Sequence, residues 1–192
     1  MKFNGEVTTA EIGNDTTIRE CVTVNRGTSS RGKTTVGNNC MLMAYSHIGH
    51  DCVVKDSVIV GNASQIAGEV EIDDYAVVSG GSLIHQFVRI SKNVMIQGGT
   101  RTSQDIPPYT LVGREPVAYC GINIVGLRRC GFSNEVISQI KEIYRIIYAQ
   151  NLNITDAIRR IEQEFEASEE RNLILNFVKS SKRGIVKSLM QK

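Results

Sequence analysis

Aliphatic side chains recur along this chain at every sixth position. Counted from Ile12, the first residue of successive hexads reads Ile12, Ile18 and Val24, then Val36, Leu42, Ile48, Val54 and Val60, and on through Ile66, Ile72, Val78, Ile84, Ile90 and Ile96. The fifth position is small or short, as in Thr16, Cys40, Ser46, Cys52, Ser64 and Ala76, and the second is often glycine, as in Gly13, Gly37, Gly49 and Gly61. An α-helix repeats every ~3.6 residues and a simple strand every 2, so neither produces this pattern. Six residues per side and three sides per coil predict a triangular solenoid, the left-handed parallel β-helix. Its first positions stack inward, its fifth positions fit the corners, and coils pair at about 4.8 Å. Only 30–35 breaks the pattern; because the phase resumes at Val36, it reads as a loop pushed out of the coil.

After Arg101 the hexads stop. Pro107 and Pro108 remove backbone donors and restrict their predecessors, so an irregular stretch is expected to about Phe132. Ser133 then suits the N-cap of a helix through about Gln150, with Val136, Ile137, Ile140, Ile143, Tyr144 and Ile147 on one face. Thr155 and Ser168 suggest caps for helices near 156–165 and 169–179, and Gly184 the break before a last short helix. The expected organisation is a β-helix over 1–101, an irregular connector over 102–132 and a small α-helical C-terminal region over 133–192. Such short helices need a surface to pack on, either the solenoid end or a neighbouring subunit.

Composition adds exclusions. With 41% hydrophobic and 22% charged residues the chain reads as globular, and 6% aromatics with no tryptophan suits a core of stacked small aliphatics. A net charge of +2 argues against a general nucleic-acid or membrane-surface binder. The modest basic excess beyond residue 101 suits either an acidic partner or an ordinary solvated surface. No apolar run approaches the length of a membrane span, and no signal-like segment opens the chain, so membrane insertion is not expected. Five cysteines without paired spacing read as reduced, mostly buried small hydrophobes of a cytoplasmic protein.

The candidate chemistry centres on the three histidines, His47, His50 and His85. The hexads put His50 and His85 about two coils apart on one face, roughly 10 Å, with His47 at a corner just before His50. Asp51, next to His50, could orient the ring of a general base, or be a surface turn residue. Gly68 lies 18 residues (one coil) from His50, so its N–H could meet an oxyanion; as a plain turn glycine it would need no such role. No nucleophile elbow and no phosphate-binding glycine loop is present. Arg128 and Arg129 could grip phosphates or be exposed connector charges.

Four segments carry a resemblance: His47-Ile48-Gly49-His50-Asp51-Cys52, Ile84-His85-Gln86-Phe87, Gln104 to Tyr109, and Gly121-Ile122-Asn123 running to Arg129. Together they resemble the UDP-N-acetylglucosamine O-acyltransferases of lipid A biosynthesis, a family of hexapeptide-repeat acyltransferases. The resemblance implies transfer of a 3-hydroxyacyl chain from acyl carrier protein to the sugar 3-hydroxyl, the first step of lipid A biosynthesis. It implies His50 as general base, Asp51 as its orienting partner and the Gly68 N–H as oxyanion donor. Lys2, His47, His85 and Gln86 would contact substrate, Asn123 and Arg129 would match nucleotide-binding positions, and Gly98 would stand where acyl length is measured, its missing side chain leaving room for a long chain. A homotrimer with sites between prisms is implied, and neither cofactor nor metal. Asn25 and Glu69 stand where the family carries histidines, and Val125 where it carries an acidic nucleotide contact. The resemblance further implies additional coils before the point matching Lys2.

Three other readings remain open: an N-acyltransferase on a UDP-glucosamine, a histidine–zinc enzyme resembling γ-class carbonic anhydrase, and a non-catalytic trimeric scaffold.

Overall fold

The computed structural model describes residues 4–150 and 152–188. Strands come in triplets, one per side of a coil: β1 (Thr9–Ile12), β2 (Thr17–Ile18) and β3 (Thr23–Val24); β4 (Lys33–Val36), β5 (Met41–Leu42) and β6 (His47–Ile48); β7 (Val53–Val54), β8 (Ile59–Val60) and β9 (Gln65–Ile66). β10 (Glu71–Ile72), β11 (Val77–Val78) and β12 (Leu83–Ile84) follow, then β13 (Arg89–Ile90), β14 (Met95–Ile96) and β15 (Arg101–Thr102). Each triplet extends three parallel sheets ordered β1-β4-β7-β10-β13, β2-β5-β8-β11-β14 and β3-β6-β9-β12-β15. The register is that of the hexads. Ile48 faces Ile66 and Ile66 faces Ile84 across neighbouring coils, and all three are buried to within 2% of full burial. This is the parallel β-solenoid with C-terminal helices that the period predicts.

Each corner takes its bend at the fourth hexad position, which adopts the left-handed conformation even where it is not glycine. Asp15, Asn39, Tyr45, Asp51, Ala63 and Glu69 all have φ between 54° and 63°. Such a residue costs about 1 kcal/mol or more. The cost is offset by rungs between coils: Ser57 N–H donates to Asn38 O, Ala63 N–H to Ala44 O and Glu69 N–H to His50 O, each at 2.8–2.9 Å.

The interruption sits earlier than the pattern suggested. Lys33–Val36 is already strand β4, paired with β1 at a separation of 24 residues where later coils use 18. The extra residues therefore bulge around 28–32.

The stretch over 102–132, expected to be irregular, holds β16 (Thr110–Gly113), which continues the second sheet beside β14, and β17 (Ala118–Ile122), antiparallel to β16. It ends in α1 (Ile124–Arg129). α2 (Asn134–Ala149) is capped by Ser133 and α4 (Glu169–Ser180) by Ser168, as expected. α3 (Ile154–Glu164) is capped by Asn153 rather than Thr155, because the Asn153 carboxamide accepts from Asp156 N–H at 2.9 Å. Beyond Gly184 the described chain forms no helix. It runs back along the solenoid end, where Ile185 bridges to Asp105 and Ser188 to Tyr119.

The helices share a second core with the solenoid end: Tyr109, Leu127, Ile140, Ile143, Tyr144 and Ile161 are buried together. At the opposite end, Ile12 and Ile18 occupy inward positions yet are 45% and 44% exposed, since no coil covers them among the described residues. No helix among the described residues is long and apolar enough to cross a membrane.

Candidate active site

His50 and Asp51 form the corner between β6 and β7. Asp51 has the left-handed backbone of the corner, and its side chain is fully buried beneath the 28–32 loop. His50 Nδ1 lies 2.8 Å from Asp51 Oδ2. An ionised carboxylate only accepts, so Nδ1 carries the hydrogen and Nε2 keeps its lone pair in the neutral ring. Burial opposes charge on Asp51, but the Thr28 hydroxyl (2.6 Å), the Thr28 N–H (2.8 Å), His50 and the Arg31 N–H (3.1 Å) together hold its carboxyl below the usual range. The carboxylate that partners His50 is thus a fixed anion.

One coil on, Gly68 lies directly against the imidazole. A Cβ there would come within 2.5 Å of His50 Cε1 and Nε2, so no other residue leaves the ring where it is. Gly49 plays a similar part behind it, since a Cβ at 49 would meet Gly68 N at 2.6 Å. The Gly68 N–H has no acceptor among the described residues. At another corner the equivalent N–H groups are taken, Asn38 N–H by Asp56 and Asp56 N–H by Asp74. An imidazole nitrogen with a free lone pair and a backbone donor without an acceptor therefore share one corner.

His47 and His50 exchange the places expected of them. His47 is on strand β6, facing outward, with Thr23 Oγ1 at 2.7 Å from its Nδ1, and burial holds its pKa below the ordinary imidazole value. The corner belongs to His50, because the hexad phase puts the strand at positions six and one. A groove of about 570 Å³ crosses the third sheet between His47 and His85, lined also by Gln65, Ala67, Leu83 and Arg101. His85 Nδ1 lies 3.2 Å from both the Gln86 carbonyl and Arg183 Nη2. Arginine can only donate and a carbonyl only accept, so this nitrogen serves one of them at a time. Gln86 occupies the same corner column as His50 and Gly68, at the 18-residue spacing.

The remaining candidates lie apart. Asn123 caps α1, accepting from Gly126 N–H at 3.0 Å, and its amide donates to Asn93 O at 2.9 Å. Arg129 is exposed in the last turn of α1, and no hydrogen bond or ion pair among the described residues joins either to the His50 corner. Gly98 is exposed in the turn between β14 and β15; a Cβ there would meet Gly80 O at 3.2 Å. Lys2 lies outside the described residues. Of the departures, Asn25 is exposed, Val125 is 61% exposed, and Glu69 is buried and ion-paired to Arg31 at 3.0 Å. No group of three or more His, Cys, Asp or Glu side chains that could hold a metal occurs among the described residues.

Sequence reasoning missed Thr28, Arg31, Thr34 and Arg183. The first two lie in the inserted loop and the third follows it. The available signal was the position of that insertion in the coil that stacks on His50-Asp51.

Comparison with known proteins assigns the chain. Residues 105–186 match the family described as UDP N-acetylglucosamine O-acyltransferase, domain 2, and residues 33–68 match the bacterial transferase hexapeptide family. The chain is 41% identical to the acyl-[acyl-carrier-protein]–UDP-N-acetylglucosamine O-acyltransferase of Burkholderia mallei, over 97% of this chain and 73% of that protein. Among solved structures, the UDP-N-acetylglucosamine acyltransferase from Bacteroides fragilis superposes with a TM-score of 0.95 at 53% identity, covering 97% of this chain and 73% of that one. That from Francisella novicida does so with 0.94 at 35%, covering 98% and 70%. The chain belongs to the family of acyl-[acyl-carrier-protein]–UDP-N-acetylglucosamine O-acyltransferases.

Proposed function

We propose that this chain transfers a 3-hydroxyacyl group from the thioester of acyl carrier protein to the 3-hydroxyl of UDP-N-acetylglucosamine, in the cytoplasm and as a homotrimer. His50 Nε2 removes the hydroxyl proton as the sugar oxygen attacks the thioester carbonyl. The tetrahedral oxyanion is met by the Gly68 N–H. The carbon–sulfur bond then breaks, and the imidazolium returns its proton to the departing thiolate. Asp51 holds the tautomer this requires and stabilises the imidazolium, as the carboxylate of a catalytic triad does.

The observation that carries this reading is the unpaired Gly68 N–H beneath a histidine whose other nitrogen is tied to a buried carboxylate. Family membership supplies the substrates. His47, His85 and Gln86, beside the third-sheet groove, are assigned to substrate contact together with Lys2. Asn123 and Arg129 are assigned to the nucleotide and Gly98 to the limit on acyl length. Exposed Tyr45, Tyr75 and Phe87, each 47–63% accessible, support burial of further surface between prisms.

The test is acyl transfer from 3-hydroxyacyl carrier protein to UDP-N-acetylglucosamine by this chain and by His50→Ala. Removing the base should slow transfer at least about a hundredfold. Unchanged transfer by the variant would remove His50 from the mechanism.

A further inference from the structure

The loop over 28–32 closes on the catalytic corner by contacts that neither the hexad pattern nor the proposed mechanism requires. Where the other corner residues send their N–H groups to backbone carbonyls of the preceding coil, Asp51 sends its own to Thr34 Oγ1, at 2.7 Å. Its carboxylate is filled from the loop itself. Oδ1 accepts the N–H groups of Thr28 and Arg31, and Oδ2 accepts the Thr28 hydroxyl and His50. Three of the four donors to this carboxylate thus come from the inserted segment, which lies outside the hexad repeat.

The ends of that segment are tied to β1, Gly27 N–H donating to Thr9 O and Thr9 N–H to Gly32 O, and the Arg31 side chain adds the tie to the following coils. Its Nε donates to Glu69 Oε2 at 3.0 Å and its Nη2 to Glu71 Oε1 at 2.7 Å, reaching 38 and 40 residues along the chain. Exposed ion pairs hold little. Here, however, Glu69 is only 7% exposed, and it immediately follows Gly68 in the adjacent coil. Arg31 therefore ties the loop to the same coil that supplies the free N–H. It also neutralises a buried carboxylate next to the place where negative charge would develop.

We infer, resting on the role proposed for His50 as base, that Arg31 is a positioning residue for the acyl transfer. Clamped to Glu69 and Glu71, it holds the 28–32 loop so that the loop's donors fix Asp51, and Asp51 fixes the His50 ring over Gly68.

A small displacement of a reacting group costs between about ten- and a hundredfold in rate. In the full chain, Arg31→Ala should lower kcat by about that factor, with KM for UDP-N-acetylglucosamine changed less than about threefold. Because the effect runs through the carboxylate, Arg31→Ala added to Asp51→Asn should lower kcat less than about twofold further, a coupling that independent residues do not show. Equal losses in the two backgrounds, or a wild-type kcat for Arg31→Ala, would overturn the inference. The double variant Glu69→Ala/Glu71→Ala leaves the residues of the loop and Asp51 unchanged and removes the clamp's acceptors. It should lower kcat in the same direction, and it provides the test if Arg31→Ala does not fold; a wild-type kcat there is equally contrary. His50→Ala, assayed alongside, separates the two ideas. Its full activity would overturn the base assignment and this inference with it, whereas its collapse beside an unaltered Arg31→Ala would overturn this inference alone.

Discussion

His47 shows how a side chain in a regular repeat acquires a special titration. The period puts it on the outer face of a strand, but the third-sheet groove buries it in part and the Thr23 hydroxyl lies at its Nδ1. Burial disfavours the imidazolium, so the folded pKa lies below the ordinary 6.5. A histidine whose folded pKa is depressed contributes stability that is present above the unfolded value and lost as pH falls through the folded one. As pH falls below about 6.5, unfolding free energy should therefore decline more steeply in the wild type than in His47→Gln. Denaturant titrations at several pH values measure this, and parallel slopes for the two proteins would refute it. At the neighbouring corner the same backbone logic has another result. Asp51 takes the left-handed conformation of the fourth position, yet its side chain enters a cage of donors and becomes the fixed anion behind His50.

Strands of two residues cannot hold themselves together. They persist because each inward side chain is stacked between its equivalents in the coils before and after, a quasi-one-dimensional arrangement. Ile66, fully buried between Ile48 and Ile84, is such a rung. Ile66→Ala should cost about 2–5 kcal/mol by the cavity it opens. Ile12→Ala, at an end position already 45% exposed, should cost less than about 1 kcal/mol. Equal losses in equilibrium denaturation would mean that burial by neighbouring coils is not what stabilises the strands. The helices obey different rules. Ser133 and Ser168 each accept from the N–H three residues on, and Asn153 displaces Thr155 because its carboxamide does the same for Asp156.

Solenoid and helical end are joined by few polar contacts and a shared aromatic core. Tyr144, fully buried on α2, donates its hydroxyl to Pro108 O at 2.5 Å, and Tyr119 of β17 stacks on Tyr148 at 4.1 Å. Tyr144→Phe keeps the ring and leaves the Pro108 carbonyl without this donor. It should destabilise the chain by about 1–3 kcal/mol while leaving acyl transfer intact, as thermal unfolding and the transfer assay would record. Lost activity at unchanged stability would contradict this. The returning segment adds a second tie, with Asp105 accepting from Arg89 N–H and from Ser181 Oγ, and Arg183 reaching Ser103 O and His85. Through it, residues at the far end of the chain border the third-sheet groove.

Much of this architecture is legible in the amino-acid sequence. A period of six states the coil, the inward rows and the 18-residue spacing that stacks Gly68 on His50, because stacking in a solenoid repeats at a fixed separation along the chain; the corner itself, expected at His47, is placed at His50 only by the fold. The histidine-bearing motifs, together with the family they resemble, point to the same corner. Other features are not legible there, because they depend on where the periodicity stops. The inserted loop could have folded away from the prism, and only three-dimensional packing seats Thr28 and Arg31 on Asp51 and Glu69. Likewise, the segment after Gly184 pairs with Asp105 rather than forming a helix, because there Val186 is fully buried in the solenoid core. Local repeats encode local geometry; the donors that hold Asp51 come from a segment outside the repeat, placed by contacts between residues far apart in the chain.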